Sequence, residues 1–322
     1  MRRILLWSVA FVLLASPLAH SDIEETRTTL REHILKLINR DRALYNLSPV
    51  ELDLEASAIG DTYCKLQIRN GTNGHFTTDG LSPYMRYSLA GGNDGVSENA
   101  AAWSANYSLS DRALYEMARR SQDAMMAEMA PNDGHKRTIL DPHATHVGIG
   151  LAWEQSEFRL VHEFVRRYVR WTRDVPRRAR AGETVLISGQ PLRNTTIEAI
   201  SVHHEPMPQT MPVHVANSLE SYSLPKQRKD YFPRLKQEHR RRSDGTLEII
   251  RREYPGGHRG DFTVANDGAF SFAVPFTQGP GVYTIVVWLK RDNGGQPVSA
   301  SNISILVEDA LPASSRAAAA SR

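Results

Sequence analysis

The sequence predicts an α+β protein, with an N-terminal half that mixes helices and strands followed by an all-β sandwich. Three observations carry this. The chain has 322 residues, enough for two separate cores. Residues 22–172 alternate segments of helical apolar period with segments of two-residue period. From about residue 183 only short β-type runs remain, separated by Gly, Asn, Asp and Pro.

The first element is a leader. Arg2 and Arg3 precede an apolar stretch, Ile4 to Leu18, too short to span a bilayer comfortably. Ala19-His20-Ser21 then puts small residues at the positions a signal peptidase reads, so residues 1–21 are expected to be a signal peptide cleaved before Asp22. No Cys follows for lipid attachment, and no later segment reads as a membrane span. The expected location is exported, periplasmic or extracellular. The leader holds two Arg and no acid, so the formal charge of +3 falls to about +1 without it, which gives no argument for nucleic acid. The single Cys64 excludes an internal disulfide and fits a bacterial export route. Sequons at Asn70, Asn106, Asn194 and Asn302 occur at chance frequency.

Within 22–172, Leu30, Ile34, Leu37 and Ile38 recur at helical spacing and predict an amphipathic helix over 24–46. LSPVELD (47–53) reads as a turn, and Asp53 as the cap of a second helix ending near Arg69. A Gly/Asn-rich break at 70–74 delivers His75. The loose stretch 90–99 delivers Glu98, whose ordinary reading is the first-turn carboxylate of a helix through AAAWSA. A third helix over 111–129, with Leu114, Ala118, Met125 and Met126, carries Glu128 near its end. Pro131 to Gly134 form a turn before His135. THVGIGLAW (145–153) and EFRLVHEFVRRYVRW (157–171) read as a hairpin. His143 and His146 fall in a surface loop, while His162 alternates with Leu160 and Phe164 as a hydrogen-bonded core histidine.

The charged segment 173–182, with Pro176, reads as a linker. Residues 183–309 hold about seven β-type runs, from ETVLISG to SNISILVE, and predict an immunoglobulin-like sandwich. A polar insertion at about 215–245, with the basic run His239 to Arg242, is too long for an ordinary loop and is expected to be mobile or disordered. Its basic charge makes it a candidate contact for a cell-envelope component. The tail 310–322 is of low complexity and is expected to be disordered.

Four residues stand out for chemistry: His75, Glu98, Glu128 and His135. Converging in one cleft, they would hold a divalent metal, share a proton or line a polar pocket. A carboxylate among Met125, Met126 and Met129 must reach solvent or a polar cavity, because burying it unpaired costs several kcal/mol. Two neutral imidazoles suit a divalent ion such as zinc, with water in the open positions and a glutamate to orient or deprotonate it. Two His without a third protein ligand make a weak site. No nucleophile is apparent, since Ser97 has no base to pair with.

The local phrases carry a resemblance. Asn39 and Arg42, LSPVELDLEASAIG, GHFTTDGLSPYMR, GVSENAA, GHKRTILDP and HVGIGLAW occur in the order of the CAP superfamily: cysteine-rich secretory proteins, antigen 5 and pathogenesis-related 1. Residues of about 27–170 resemble in particular its bacterial, SCP-like extracellular branch. The resemblance implies an α-β-α sandwich with a central antiparallel sheet and a large groove lined by two His and two acids. His75 matches the first His, Glu98 the first acid and His135 the second His. Glu128 matches less well, because Met125-Met126-Ala127 stands in place of an aromatic-rich phrase. Relatives are mostly binding or signalling proteins, some of them lipid or sterol binders, with proteolysis proposed for a few. Three readings follow: a groove that binds a lipid-like or peptide-like ligand, with or without a weakly held metal; a metal-dependent hydrolase using Glu98 as base; and an envelope adhesion or structural protein. The first, non-enzymatic reading is preferred.

Overall fold

The computed structural model describes residues 17–250, 252–292 and 294–310. Leader residues 1–16 and tail residues 311–322 therefore lie outside the described residues. The first half runs α1 (Pro17–Leu44), β1 (Glu51–Leu52), α2 (Leu54–Asn70), α3 (Pro83–Leu89), β2 (Gly95–Ser104), α4 (Asp111–Ala127), α5 (Gly134–Ile139), β3 (His146–Glu154) and β4 (Glu157–Arg166). Its four strands form one sheet in the order β1-β3-β4-β2. The expected β3–β4 hairpin is present, and β2 joins β4 antiparallel. The 47–53 segment is more than a turn, because Glu51 and Leu52 pair parallel with His146 and Val147.

Alternation along the strands sorts the helices to two sides. Ile149, Leu151, Leu160 and Phe164 face Leu30, Ile34 and Ile38 of α1 and Leu114, Ala118 and Met125 of α4 in one core. The opposite face is cut down for α2. A Cβ placed on Gly60 would stand 2.8 Å from the Gly150 Cα, so the glycines of VGIG admit the helix backbone itself. Asp53 caps α2 by accepting from Ala56 N, and Gly71 ends it with φ 69°. The exposed edge of β3 is closed by side chains. Ile149 N donates to Ser57 Oγ, Leu151 N donates to Asp61 Oδ1, and Arg31 Nε donates to Ile149 O.

The second half contains β5 (Val169–Trp171), β6 (Arg178–Arg180), β7 (Thr184–Pro191), β8 (Thr195–Glu205), α6 (Val213–Ser218), β9 (Arg228–Tyr231), β10 (Glu238–Arg241), β11 (Leu247–Ile250), β12 (Thr263–Val264), β13 (Phe270–Pro275), β14 (Gly281–Arg291), β15 (Val298–Ser299) and β16 (Ile303–Glu308). One sheet has the order β12-β13-β7-β5 and another β6-β16-β14-β8-β9, with β15 on β14. Ile187, Phe270, Phe272 and Val274 from the first meet Ile200, Val202, Ile285 and Ile305 from the second in a shared core. β10 and β11 form a separate ribbon.

Segment 173–182 is not a free linker. Its β6 pairs with β16, and Arg177 donates to the carbonyls of Ser88, Gly91 and Gly92. β5 already belongs to the second half's sheet, so the chain crosses over before residue 173. The 215–245 insertion likewise has structure: its start overlaps α6, and it holds β9 and β10. The halves meet where Ser88 and β2 lie against Ala300 and Asn302: Gly95 N donates to Ala300 O, Ser88 Oγ to Asn302 O, and the Asn302 carboxamide takes both Val96 N and Val96 O.

Candidate functional site

His75 leaves the loop behind the Gly71 cap, which is tied down where Tyr63 OH and Gln67 Nε2 both donate to Gly74 O. Its Nδ1 lies 2.9 Å from Glu98 Oε1. Glu98 is not at a helix start. It sits inside β2, which pairs with β4 without a break from Gly95 to Ser104, so sheet pairing overrides the helical character of the alanines.

The Glu98 side chain is wholly buried and both oxygens are committed. Arg86 Nη2 donates to Oε2 at 2.5 Å, while Arg86 Nη1 donates to the His75 and Leu81 carbonyls. The guanidinium carbon lies 3.4 Å from the centre of the Tyr63 ring, giving the buried cation a second partner. Glu163 is the cross-strand neighbour of Glu98. Burial, and then the Glu98 charge, push its carboxyl well up, so it holds a proton and donates it to Glu98. Burial opposes the Glu98 charge, but Arg86, His75 and Glu163 together keep its carboxyl below the ordinary value.

Glu128 follows the last residue of α4, and its side chain is partnered by the start of α5. It accepts from His135 N at 2.9 Å, and its other oxygen lies 2.5 Å from His135 Nδ1. Asn99 Nδ2 holds the His135 carbonyl from the sheet side. The His75 and His135 rings are 6.1 Å apart at 29° to one another. All four expected residues thus meet, as two carboxylate–imidazole pairs. In the tautomer whose Nδ1–H is given to the carboxylate, each ring leaves Nε2 as a lone pair, and neither Nε2 has a hydrogen-bond partner among the described residues. That donor chemistry fits a divalent ion held by His75 and His135, yet no group of three His, Cys, Asp or Glu suited to a metal occurs among the described residues.

His143 and His146 lie away from this centre, His146 with its Nδ1 on Thr145 Oγ1. His162 is fully buried as expected, but not hydrogen-bonded: neither ring nitrogen has a partner among the described residues. Burial, aided by nearby His135, lowers its pKa to about 3, which keeps it neutral.

Three contributors have no local sequence signal: Arg86, Glu163 and Tyr222. Tyr222 arrives from the second half. Its ring meets His75 edge-on at 4.9 Å, and its hydroxyl accepts from Glu98 N at 2.5 Å. The strand-to-strand excursion that carries it wraps the His75 loop. Tyr84 OH donates to Glu205 Oε1, Met211 N to Thr78 O, Asn73 N to Asn217 Oδ1, and Asn217 Nδ2 to Gly71 O. The same excursion shields one side of β2. Val96 and Glu98 turn their backbone groups outward to Asn302 and Tyr222, so by the two-residue period Ala100 and Ala102 point the same way. Those two are partly exposed, and their outward backbone groups make no hydrogen bond among the described residues. A second concavity, of about 640 Å³, lies between α2 and α3, lined by Ala56, Ile59, Leu66 and Leu81 with Arg86 and Tyr63 at its wall.

No protein-family model matches the chain, and no curated protein matches it. Among solved structures, it is similar to an extracellular protein containing an SCP domain from Bacillus anthracis strain Ames, at 17% identity and a TM-score of 0.32. The likeness covers 42% of this chain and 40% of that one. No helix among the described residues is long and apolar enough to cross a membrane.

Proposed function

We propose that the chain is an exported, non-enzymatic binding protein of the CAP type. Its His75–His135 cleft takes a peptide-like ligand, beside a weakly held divalent ion such as zinc. The observation that carries this reading is the pair of carboxylate-oriented imidazoles, each with Nε2 unengaged, at the edge of β2. The open backbone groups of Ala100 and Ala102 favour a ligand that adds as an extended strand. His75 and His135 would hold the ion, which would supply a Lewis-acid contact for a ligand carbonyl. Glu98 orients His75 and balances Arg86; with both oxygens bound in a dry site it is poorly placed to serve as the base of a hydrolase. A lipid-like ligand is favoured by a different observation, the apolar cavity between α2 and α3.

The test is calorimetric titration of zinc into the purified protein and into a His75→Ala/His135→Ala variant. Saturable heat in the wild type and none in the double variant is expected; equal heats in both would end the metal reading. Competition between an alanine-rich peptide and a fatty acid then separates the two ligand classes. Protection of the Ala100 and Ala102 amides from hydrogen exchange by the peptide alone is the expected outcome.

A further inference from the structure

Side chains complete the outer edge of β2 only partway along. The Asn302 carboxamide takes the N–H and C=O of Val96. Two residues on, Tyr222 OH accepts from Glu98 N at 2.5 Å, so its oxygen stands where the carbonyl of a neighbouring strand would. Beyond that, the outward groups of Ala100 and Ala102 make no hydrogen bond among the described residues. Burial follows the same division: Gly95, Val96, Glu98 and Asn99 are buried, while Ala100 to Trp103 are partly exposed. The unpaired edge therefore begins at Ala100 and is stopped on its Glu98 side by Tyr222. Both imidazoles stand at that stop. Glu98 and Asn99 point to opposite faces of the sheet; Glu98 holds His75, whose ring meets Tyr222, and Asn99 holds the His135 carbonyl.

Building on the cleft as a peptide site beside an ion held by His75 and His135, we propose that this edge is specific for the C-terminus of an extended peptide, whose carboxylate meets Tyr222. Strand polarity points to that end. A ligand antiparallel to β2, the slightly more stable ladder, exchanges both backbone bonds with Ala102 and then with Ala100, and reaches the stop with its C-terminus. Its next ladder residue would need Glu98 N, which already has the Tyr222 oxygen, so the chain ends opposite Asn99. The chemistry at the stop suits a carboxylate. The Tyr222 hydroxyl uses its oxygen on Glu98 N, and its own proton has only a long 3.5 Å contact with Glu98 O, so that proton is free to donate to an anion. Arg86 neutralises Glu98, so a divalent ion on the imidazoles outweighs Glu128 and leaves the stop net positive. An N-terminal ammonium would meet the wrong sign of charge.

The experiment is calorimetric titration of the zinc-loaded protein with one alanine-rich peptide in three forms: free at both ends, amidated at the C-terminus, and acetylated at the N-terminus. A hydrogen bond to a charged group is worth about tenfold or more in affinity, so amidation is expected to weaken binding by at least that factor. Acetylation is expected to leave it nearly unchanged. Removing zinc with a chelator narrows the gap between free acid and amide, and so does Tyr222→Phe, which keeps the ring and loses the hydroxyl proton. That ratio does not move with a general loss of stability, since both peptides meet the same variant. Equal affinity of acid and amide for the zinc-loaded protein overturns the proposal, as does an unchanged ratio in Tyr222→Phe. A larger loss on acetylation than on amidation also overturns it, marking a reader of N-termini. Absence of saturable zinc heat before any peptide is added overturns the ion reading and the proposal with it, so the two failures are told apart.

Discussion

Glu98 and Glu163 face each other across β2 and β4 but differ in charge, and substituting each by glutamine separates their roles. In Glu98→Gln, the Arg86 guanidinium loses its counter-ion while its side chain stays 92% buried, with two carbonyls and the Tyr63 ring as its remaining partners. Two unit charges about 4 Å apart in an effective dielectric of about 20 attract by about 4 kcal/mol. Breaking a buried pair by removing one partner costs about 3–5 kcal/mol. Glu98→Gln is therefore expected to lose about 3–5 kcal/mol, a large share of the total stability of an ordinary domain. Glu163→Gln replaces a protonated carboxyl by an isosteric neutral amide that also donates to Glu98, so a change within about 1 kcal/mol is expected. Urea unfolding followed by tryptophan fluorescence at pH 7 reads both numbers. If Glu163→Gln cost as much as Glu98→Gln, or Glu98→Gln cost under about 1 kcal/mol, the assigned protonation of the pair would be wrong. The same reasoning makes Glu98→Gln a poor test of catalysis, since lost turnover would follow from lost folding.

Tyr222→Phe leaves Glu98 N without its acceptor and is expected to cost about 1–3 kcal/mol by thermal or urea unfolding. Tyr222→Ala also frees the His75 ring face, so any zinc affinity is expected to fall further than for Phe. Burial raises the Asp94 carboxyl to about 6 against Arg167, so its stabilising protonated state is present at pH 4 and lost as pH rises through about 6. Asp94→Asn is expected to abolish that loss in melts at pH 4 and 7. His162 runs the opposite way: its folded pKa of about 3 means stability falls as pH drops below about 6.5, and His162→Phe is expected to flatten that limb. Gly150→Ala forces a methyl into the α2 backbone and is expected to cost about 1–3 kcal/mol in urea unfolding.

Much of the frame was legible wherever one period persisted over a whole element. The α1 apolar stripe, the Asp53 cap, the Gly/Asn-rich break after α2 and the VGIG hairpin are local signals, and each holds in the fold. β1 was not legible, because two residues have no period and their pairing with β3 depends on chain nearly a hundred residues away. The Ala-rich run after Glu98 favours a helix locally, and only β4 makes it a strand. His75, Glu98 and His135 could be picked out by phrase, but Glu163 hid among the apolar residues of β4 and Arg86 inside a short helix. Tyr222 was unreadable in principle: the polar composition of its surroundings looks like solvated loop, and its partners lie over a hundred residues upstream.

The Asn302 carboxamide takes the N–H and C=O of Val96 as a neighbouring strand would. Asn302-Ile303-Ser304 is also a glycosylation acceptor sequence. An oligosaccharide attached there during translocation would occupy the space into which β2 must dock, and the two halves could not close. Production in a glycosylating secretory host therefore puts sugar transfer in competition with folding at this asparagine, whereas a bacterial host lacking that transfer presents no such conflict.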